Sequence, residues 1–149
     1  MTREEKFMSL AIEQAKIAYD KNEVPVGAVL VHNDKVIALA HNTRETDKNA
    51  LCHAEIIAIN KGCEALGGWR LQDCELYVTL EPCPMCAGAI INSRISKVYY
   101  GAKDAKAGCF GSLIDMTSYP FNHKPRLTVG ILESESRSLL SDFFANKRK

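Results

Sequence analysis

Apolar and polar positions recur along this chain with two periods, about 3.6 residues and 2 residues, and the changes between them mark the elements. From Thr2 to about Asp20, Phe7, Leu10, Ala11, Ala15 and Ala18 share one helical face, and T-R-E-E at the start has the spacing of a capping box. Two apolar runs follow, Val26 to Val31 and Val36 to Ala40, parted by a polar His-Asn-Asp-Lys turn. They predict an antiparallel hairpin. After a polar loop from Asn42 to Ala50, the stretch from His53 to about Leu66 predicts a helix closed by Gly67 and Gly68. Leu76 to Leu80 is a β-rich run ending in Pro82 and Pro84, and Met85 to Ile91 continues as a helix of small and apolar residues. Val98 to Gly101 and Thr128 to Ile131 predict two more short strands, with Gly108 and Gly111 breaking the loop between them. From about Ser134 the chain predicts a last helix with Leu139, Leu140, Phe143 and Phe144 as its apolar stripe.

Strands separated by single helices point to an α/β fold, a three-layer α/β/α sandwich around a central mixed sheet of about five strands, with the hairpin as its antiparallel part. At 149 residues, the whole chain, 1–149, is expected to form a single domain. No apolar run approaches the roughly 20 residues that span a bilayer. The start, MTREEKFMSL, lacks the apolar centre of a signal peptide, so the expected location is cytoplasmic. A net charge of +1 carries no bulk argument for a polyanionic ligand. Basic residues do collect between Arg94 and Lys106 and at Lys147, Arg148 and Lys149, where a solvated surface is the plainer explanation.

Six cysteines with no sign of secretion suggest metal binding or catalysis for any that cluster. Only Cys83 and Cys86 do; Cys63 and Cys74 read as small core residues, and Cys109 has no assignable role. In the stretch TLEPCPMCAGAI the two thiols lie three residues apart at a helix start, where they point the same way and the helix dipole favours thiolates. The stretch CHAEI places His53 and Glu55 at the start of another helix. Two sulfurs and an imidazole indicate zinc, and three protein ligands leave a position open for water, as in catalytic sites. Cys52 is the alternative fourth ligand of a closed site, though helix neighbours diverge by about 100°. A redox role for the C-x-x-C pair would leave His53 and Glu55 unused. Glu55, two residues from a ligand, suits a proton carrier for a metal-activated water; a surface glutamate favoured by the helix dipole is the plainer alternative. His32, His41 and His123 have no partner at metal spacing and read as exposed or hydrogen-bonded.

His53-Ala54-Glu55 followed by Pro82-Cys83-Pro84-Met85-Cys86 resembles the zinc signature of the nucleobase and nucleoside deaminases, the cytidine/deoxycytidylate deaminase superfamily. Within it the chain is most similar to the bacterial tRNA-specific adenosine deaminases. The likeness runs nearly end to end, through Glu23 to Ala28, His41-Asn42, Val78 to Ala89, Gly101 to Lys106, and Leu139 to Phe144. The resemblance implies zinc, one per subunit, held by His53, Cys83 and Cys86, with Glu55 as the catalytic proton shuttle. It implies Asn42 on the purine, with Asp104, Lys106 and Phe144 meeting flanking nucleotides and Arg44 a weaker candidate. The implied activity is hydrolytic deamination of the wobble adenosine of an arginine tRNA to inosine, by a homodimer that binds the anticodon stem-loop. Phe144 as core and Asn42 as a loop cap are the structural alternatives. Competing functions are a small-molecule deaminase of guanine, cytosine or adenosine, and a non-catalytic zinc-stabilised RNA-binding domain. Cys52 stands where such sequences are expected to carry a small residue, and the loop from Tyr119 to Arg126 matches no pattern.

Overall fold

The computed structural model describes residues 1–147, so Arg148 and Lys149 of the terminal basic cluster lie outside the described residues. The elements run α1 (Arg3–Asp20), β1 (Gly27–His32), β2 (Lys35–His41), α2 (Ala54–Leu66), β3 (Cys74–Leu80), α3 (Pro84–Ser93), β4 (Lys97–Ala102), a 3-10 turn (Met116–Ser118), β5 (Arg126–Val129) and α4 (Glu133–Lys147). Local chemistry accounts for the early boundaries. Thr2 Oγ1 accepts from the Glu5 amide at 3.1 Å and Glu5 Oε1 accepts from the Thr2 amide at 2.9 Å, which completes the capping box. Asn33 and Asp34 both take positive φ, 50° and 63°, as a tight hairpin turn with the twist of its strands requires.

The sheet has the order β2-β1-β3-β4-β5; β1 is antiparallel to both neighbours, while β3, β4 and β5 are parallel. Strand alternation gives it two apolar faces. Val29, Val31, Tyr77 and Tyr99 point to one side, where Met8, Ala11 and Ile12 of α1 cover them and Leu139 of α4 packs alongside. The Tyr77 and Tyr99 rings stack there with centroids 4.4 Å apart. Ala28, Leu30, Leu76, Val78, Val98 and Tyr100 point to the other side, under Ala54, Ala58 and Ile59 of α2 and Ala87 and Ile90 of α3. These are the three expected layers. Gly27 is needed where α1 crosses β1, since a Cβ there would run into the Ala11 carbonyl.

Three sequence expectations shift. Leu10, expected on the buried face of α1, is exposed, and Met8 and Ile12 fill the core beside Ala11 and Ala15 in its place. The last strand lies two residues earlier than Thr128 to Ile131, because Gly130 adopts φ 90° and ends the ladder, while Ile131 packs against the α1 face. Of the two phenylalanines in α4, Phe143 is 4% exposed and belongs to the core, whereas Phe144 is 43% exposed. Among the described residues no helix is long and apolar enough to cross a membrane.

Candidate metal centre and active site

Parallel β3 and β4 end at Leu80 and Ala102, on the same side of the sheet as the start of β1 and the end of β2. Clefts beyond the carboxyl ends of parallel strands are the usual ligand sites of such sheets. Here a cleft of about 500 Å³ opens, lined by Val24, Val26, Asn42, Arg44, His53, Glu55, Leu80, Glu81, Cys83, Asp104, Lys106, Ala107, Leu140 and Phe144. That volume suits a nucleoside-sized ligand.

Two helix starts supply its reactive groups. His53 is the N-cap of α2 and Cys83 the N-cap of α3, and neither side chain caps its own helix. Ser, Thr or Asp at such positions normally adds about 1 kcal/mol. The sequence gives up that contribution and leaves an imidazole and a thiol free. At α2 the missing cap is supplied from elsewhere: Asn42 Oδ1 accepts from the Ala54 amide at 2.8 Å. At α3, Pro84 occupies the first turn, where a missing N–H costs nothing. Cys86 lies one turn on, fully buried.

His53 Nδ1 stands 3.6 Å from Cys83 Sγ and 3.5 Å from Cys86 Sγ, and the three ligand atoms all lie within 4.8 Å of one another. Tetrahedral zinc with Zn–S near 2.3 Å and Zn–N near 2.1 Å requires N···S separations of about 3.6 Å. The donors therefore fit a single zinc ion. The charges fit as well. Cys83 is pulled down to about 4 by the Cys86 thiol and then by His53, while Cys86 is pushed up by its neighbour Cys83 and by burial. His53 is raised, chiefly by its hydrogen bond with Cys83. A divalent cation between the sulfurs removes their mutual penalty and lets both ionise.

Glu55 lies in the first turn of α2, two residues after His53 and beside Cys86, 4% exposed, with its carboxyl pushed up to about 7 by burial. A buried acid with that value at neutral pH accepts and donates protons with comparable ease. It is outside the ligand cluster, as is Cys52: among the described residues, only His53, Cys83 and Cys86 come together at metal distance. His41 and His123 are engaged elsewhere, with His41 Nδ1 3.0 Å from the Asn42 carbonyl and His123 Nε2 2.6 Å from that of Ile95.

Asn42 is both cap and cleft wall: 6% exposed, with Oδ1 committed to α2, it has Nδ2 left for a bound molecule. Asp104, Lys106, Arg44 and Phe144 line the same cleft as Asn42, His53, Glu55 and Cys83. Asp104 also braces its own loop, its Oδ1 accepting from the Lys106 and Ala107 amides at 3.1 and 3.2 Å. Sequence reasoning missed Leu140, Val24 and Val26 as cleft walls, and it assigned no role to two buried acids, Glu23 and Glu81.

Residues 2–148 match the model of the MafB19-like deaminases. The tRNA-specific adenosine deaminase of Bacillus subtilis is 51% identical, over 100% of this chain and 93% of the relative. A structure from work on A-to-I editing by tRNA:A34 deaminases superposes with a TM-score of 0.88 at 46% identity, covering 91% of this chain and 99% of the other. The guanine deaminase of Bacillus subtilis superposes less closely, with a TM-score of 0.65 at 30% identity over 97% and 94% of the two chains.

Proposed function

The chain belongs to the MafB19-like deaminases, among them to the tRNA-specific adenosine deaminases, and from that premise we propose how its cleft works and on which tRNA. It is a zinc-dependent deaminase that converts the wobble adenosine of tRNA to inosine. The finer reading is that its substrate is the anticodon stem-loop of an arginine tRNA, a single-stranded loop whose unpaired adenosine enters a pocket at small cost.

When bound by His53, Cys83 and Cys86, zinc supplies a Lewis acid that brings the pKa of water to about 7. Glu55 takes the proton of the water that adds to C6 of the adenine and passes it to N1. It then carries the second proton to the amino group at C6, which leaves as ammonia. One water enters, one ammonia departs, and a C6 carbonyl remains. Asn42 Nδ2 holds the purine edge while its Oδ1 stays on α2. Arg44 and Lys106 meet backbone phosphates at the mouth, Asp104 contacts a flanking nucleotide, and Phe144 offers a ring on which a flanking base stacks. The active form is a homodimer of cytoplasmic, single-domain subunits spanning 1–149, a reading that rests on the family.

One observation carries the mechanism: an acid buried to 4% exposure beside a complete set of zinc donors. Glu55→Gln keeps the shape and removes the proton carrier. Inosine formation in an arginine anticodon stem-loop should fall by about 10²–10⁴-fold with zinc content unchanged. Unchanged turnover in that variant would remove Glu55 from the mechanism. Equal turnover of free adenosine or guanine by the wild-type protein would replace the RNA reading with a small-molecule one.

A further inference from the structure

Glu23 and Glu81 are 1% and 2% exposed, and neither has a basic partner in an ion pair among the described residues. Buried carboxylates need compensation, and here backbone amides supply it. Glu23 Oε1 accepts from the Glu45 amide at 3.1 Å, and Oε2 accepts from both the amide and the hydroxyl of Thr46 at 2.7 Å. Glu81 Oε1 accepts from the Asp104 amide at 3.0 Å and from the Ser112 hydroxyl; Oε2 accepts from the Phe110 and Ser112 amides at 3.1 and 3.0 Å. In each case both oxygens are consumed by a loop that lacks regular structure.

The two loops form opposite lips of the cleft. Glu23 precedes β1 and holds the loop that carries Arg44; Glu81 follows β3 and holds the loop that carries Asp104 and Lys106. The second loop closes onto its anchor so tightly that a Cβ at Gly108 would meet the Glu81 carboxyl group. We propose that Glu23 and Glu81 are positioning residues, paired clamps that fix the two lips for the flanking nucleotides of the RNA and set substrate affinity rather than the rate of the chemical step. This rests on the reading that the rim meets RNA.

A carboxylate is required at both places for a geometric reason. In glutamine one oxygen becomes an NH₂ group, and in either orientation that donor faces a backbone N–H, because both oxygens of each glutamate accept from an amide. Glu23→Gln and Glu81→Gln are therefore nearly isosteric ways to open one clamp at a time. Each holoenzyme variant is assayed for zinc content, cooperative thermal unfolding, backbone amide exchange, and kcat and KM on an arginine anticodon stem-loop. For each clamp the expected result is one bound zinc, faster exchange confined to its own lip, a KM raised about tenfold and a kcat reduced less than threefold. A KM unchanged in a folded, zinc-loaded variant overturns the clamp at that residue, as does a fall in kcat equal to or larger than the rise in KM. If Glu81→Gln does not fold, Gly108→Ala displaces the same contact from the loop side; loss of cooperative unfolding in both assigns Glu81 to the fold and overturns its clamp. Failure of Glu23→Gln to fold does the same for Glu23. Lys106→Ala separates the two levels of failure. An unchanged KM there overturns the RNA reading of the rim, and a raised KM there beside an unchanged one in both glutamine variants overturns only the clamps.

Discussion

The zinc donors of the cleft stand on helix starts, whereas most of the residues around its mouth stand on loops. His53 and Cys83 are N-caps and Cys86 lies one turn into α3, so their spacing is set by helix geometry and by the sheet under α2 and α3. The lips at 43–47 and 104–112 have no ladder or helix of their own and depend on two buried carboxylates. Chemistry that tolerates little displacement is thus placed on rigid elements, and recognition of an irregular polymer on segments that can change without disturbing it. The comparison also explains why neither His53 nor Cys83 caps its own helix, because a capping serine in its place would stabilise the element and remove the ligand.

The largest effect should come from breaking the rigid part. Cys86→Ser is expected to lose zinc, to reduce inosine formation by at least about 10³-fold, and to lower Tm, because metal binding contributes to folding when the donors sit at element junctions. Metal analysis, an inosine assay and a thermal scan check it. Retention of zinc and activity would mean that two donors suffice and that the cradle is less exacting than its geometry implies.

Adjacent residues of α4 test both sides of the comparison next. Phe143 packs in the core with its ring edge-on to Tyr19 at 5.6 Å, so Phe143→Ala should cost about 3–5 kcal/mol of stability. Phe144 lines the cleft and is 43% exposed, so Phe144→Ala should leave the stability nearly unchanged and raise the stem-loop KM by about five- to a hundredfold, the loss of one stacked base. Chemical denaturation and steady-state kinetics separate the two. A stability loss at Phe144 as large as that at Phe143 would return it to the core and remove it from the rim.

Lys106→Ala should produce a smaller and more specific change. Its affinity for the stem-loop should fall, and the slope of log K against log salt should flatten by about 0.7–1, the mark of one lost phosphate contact. Titrations at several salt concentrations measure it. A parallel shift with no change of slope would mean that Lys106 shapes the loop and touches no phosphate.

The cradle was legible in the sequence because each half of it is local. His53 with Glu55 and Cys83 with Cys86 each fall within one short stretch at a helix start, and the prolines on either side of Cys83 and the polar loop before His53 mark where the helices begin. The sheet was legible because both of its faces are buried, so that its central strands stand out as nearly continuous apolar runs. What escaped depends on distant partners. Phe143 and Phe144 differ by 100° of helix rotation, and which one meets the core is decided by where α4 lies against α1, which no spacing within α4 encodes. Gly130 ended β5 early through a positive φ that a short apolar run does not announce. Glu23 and Glu81 carried no local sign of their burial, since a single glutamate beside a valine or a proline has the same local pattern whether it is solvated or buried against a loop 22 or 29 residues away.

The smallest predicted effect is the one that acid should have on a clamp. Burial pushes the Glu23 carboxyl up, but the amides of Thr46 and Glu45 and the Thr46 hydroxyl outweigh it and hold the group below its ordinary value of 4.5. A carboxyl depressed in the folded state binds fewer protons there than in the unfolded chain, so its contribution to stability is present above the ordinary value and is lost as pH falls through the folded one. The Tm difference between the wild-type protein and Glu23→Gln should therefore be complete at pH 7 and should narrow below about pH 4.5, by a few degrees. Thermal scans of both proteins from pH 7 to pH 3 read this directly. A gap that stays constant through that range would mean that the Thr46 and Glu45 amides hold the acid form as well as the carboxylate, and that the lip at Arg44 is fastened by shape and not by charge.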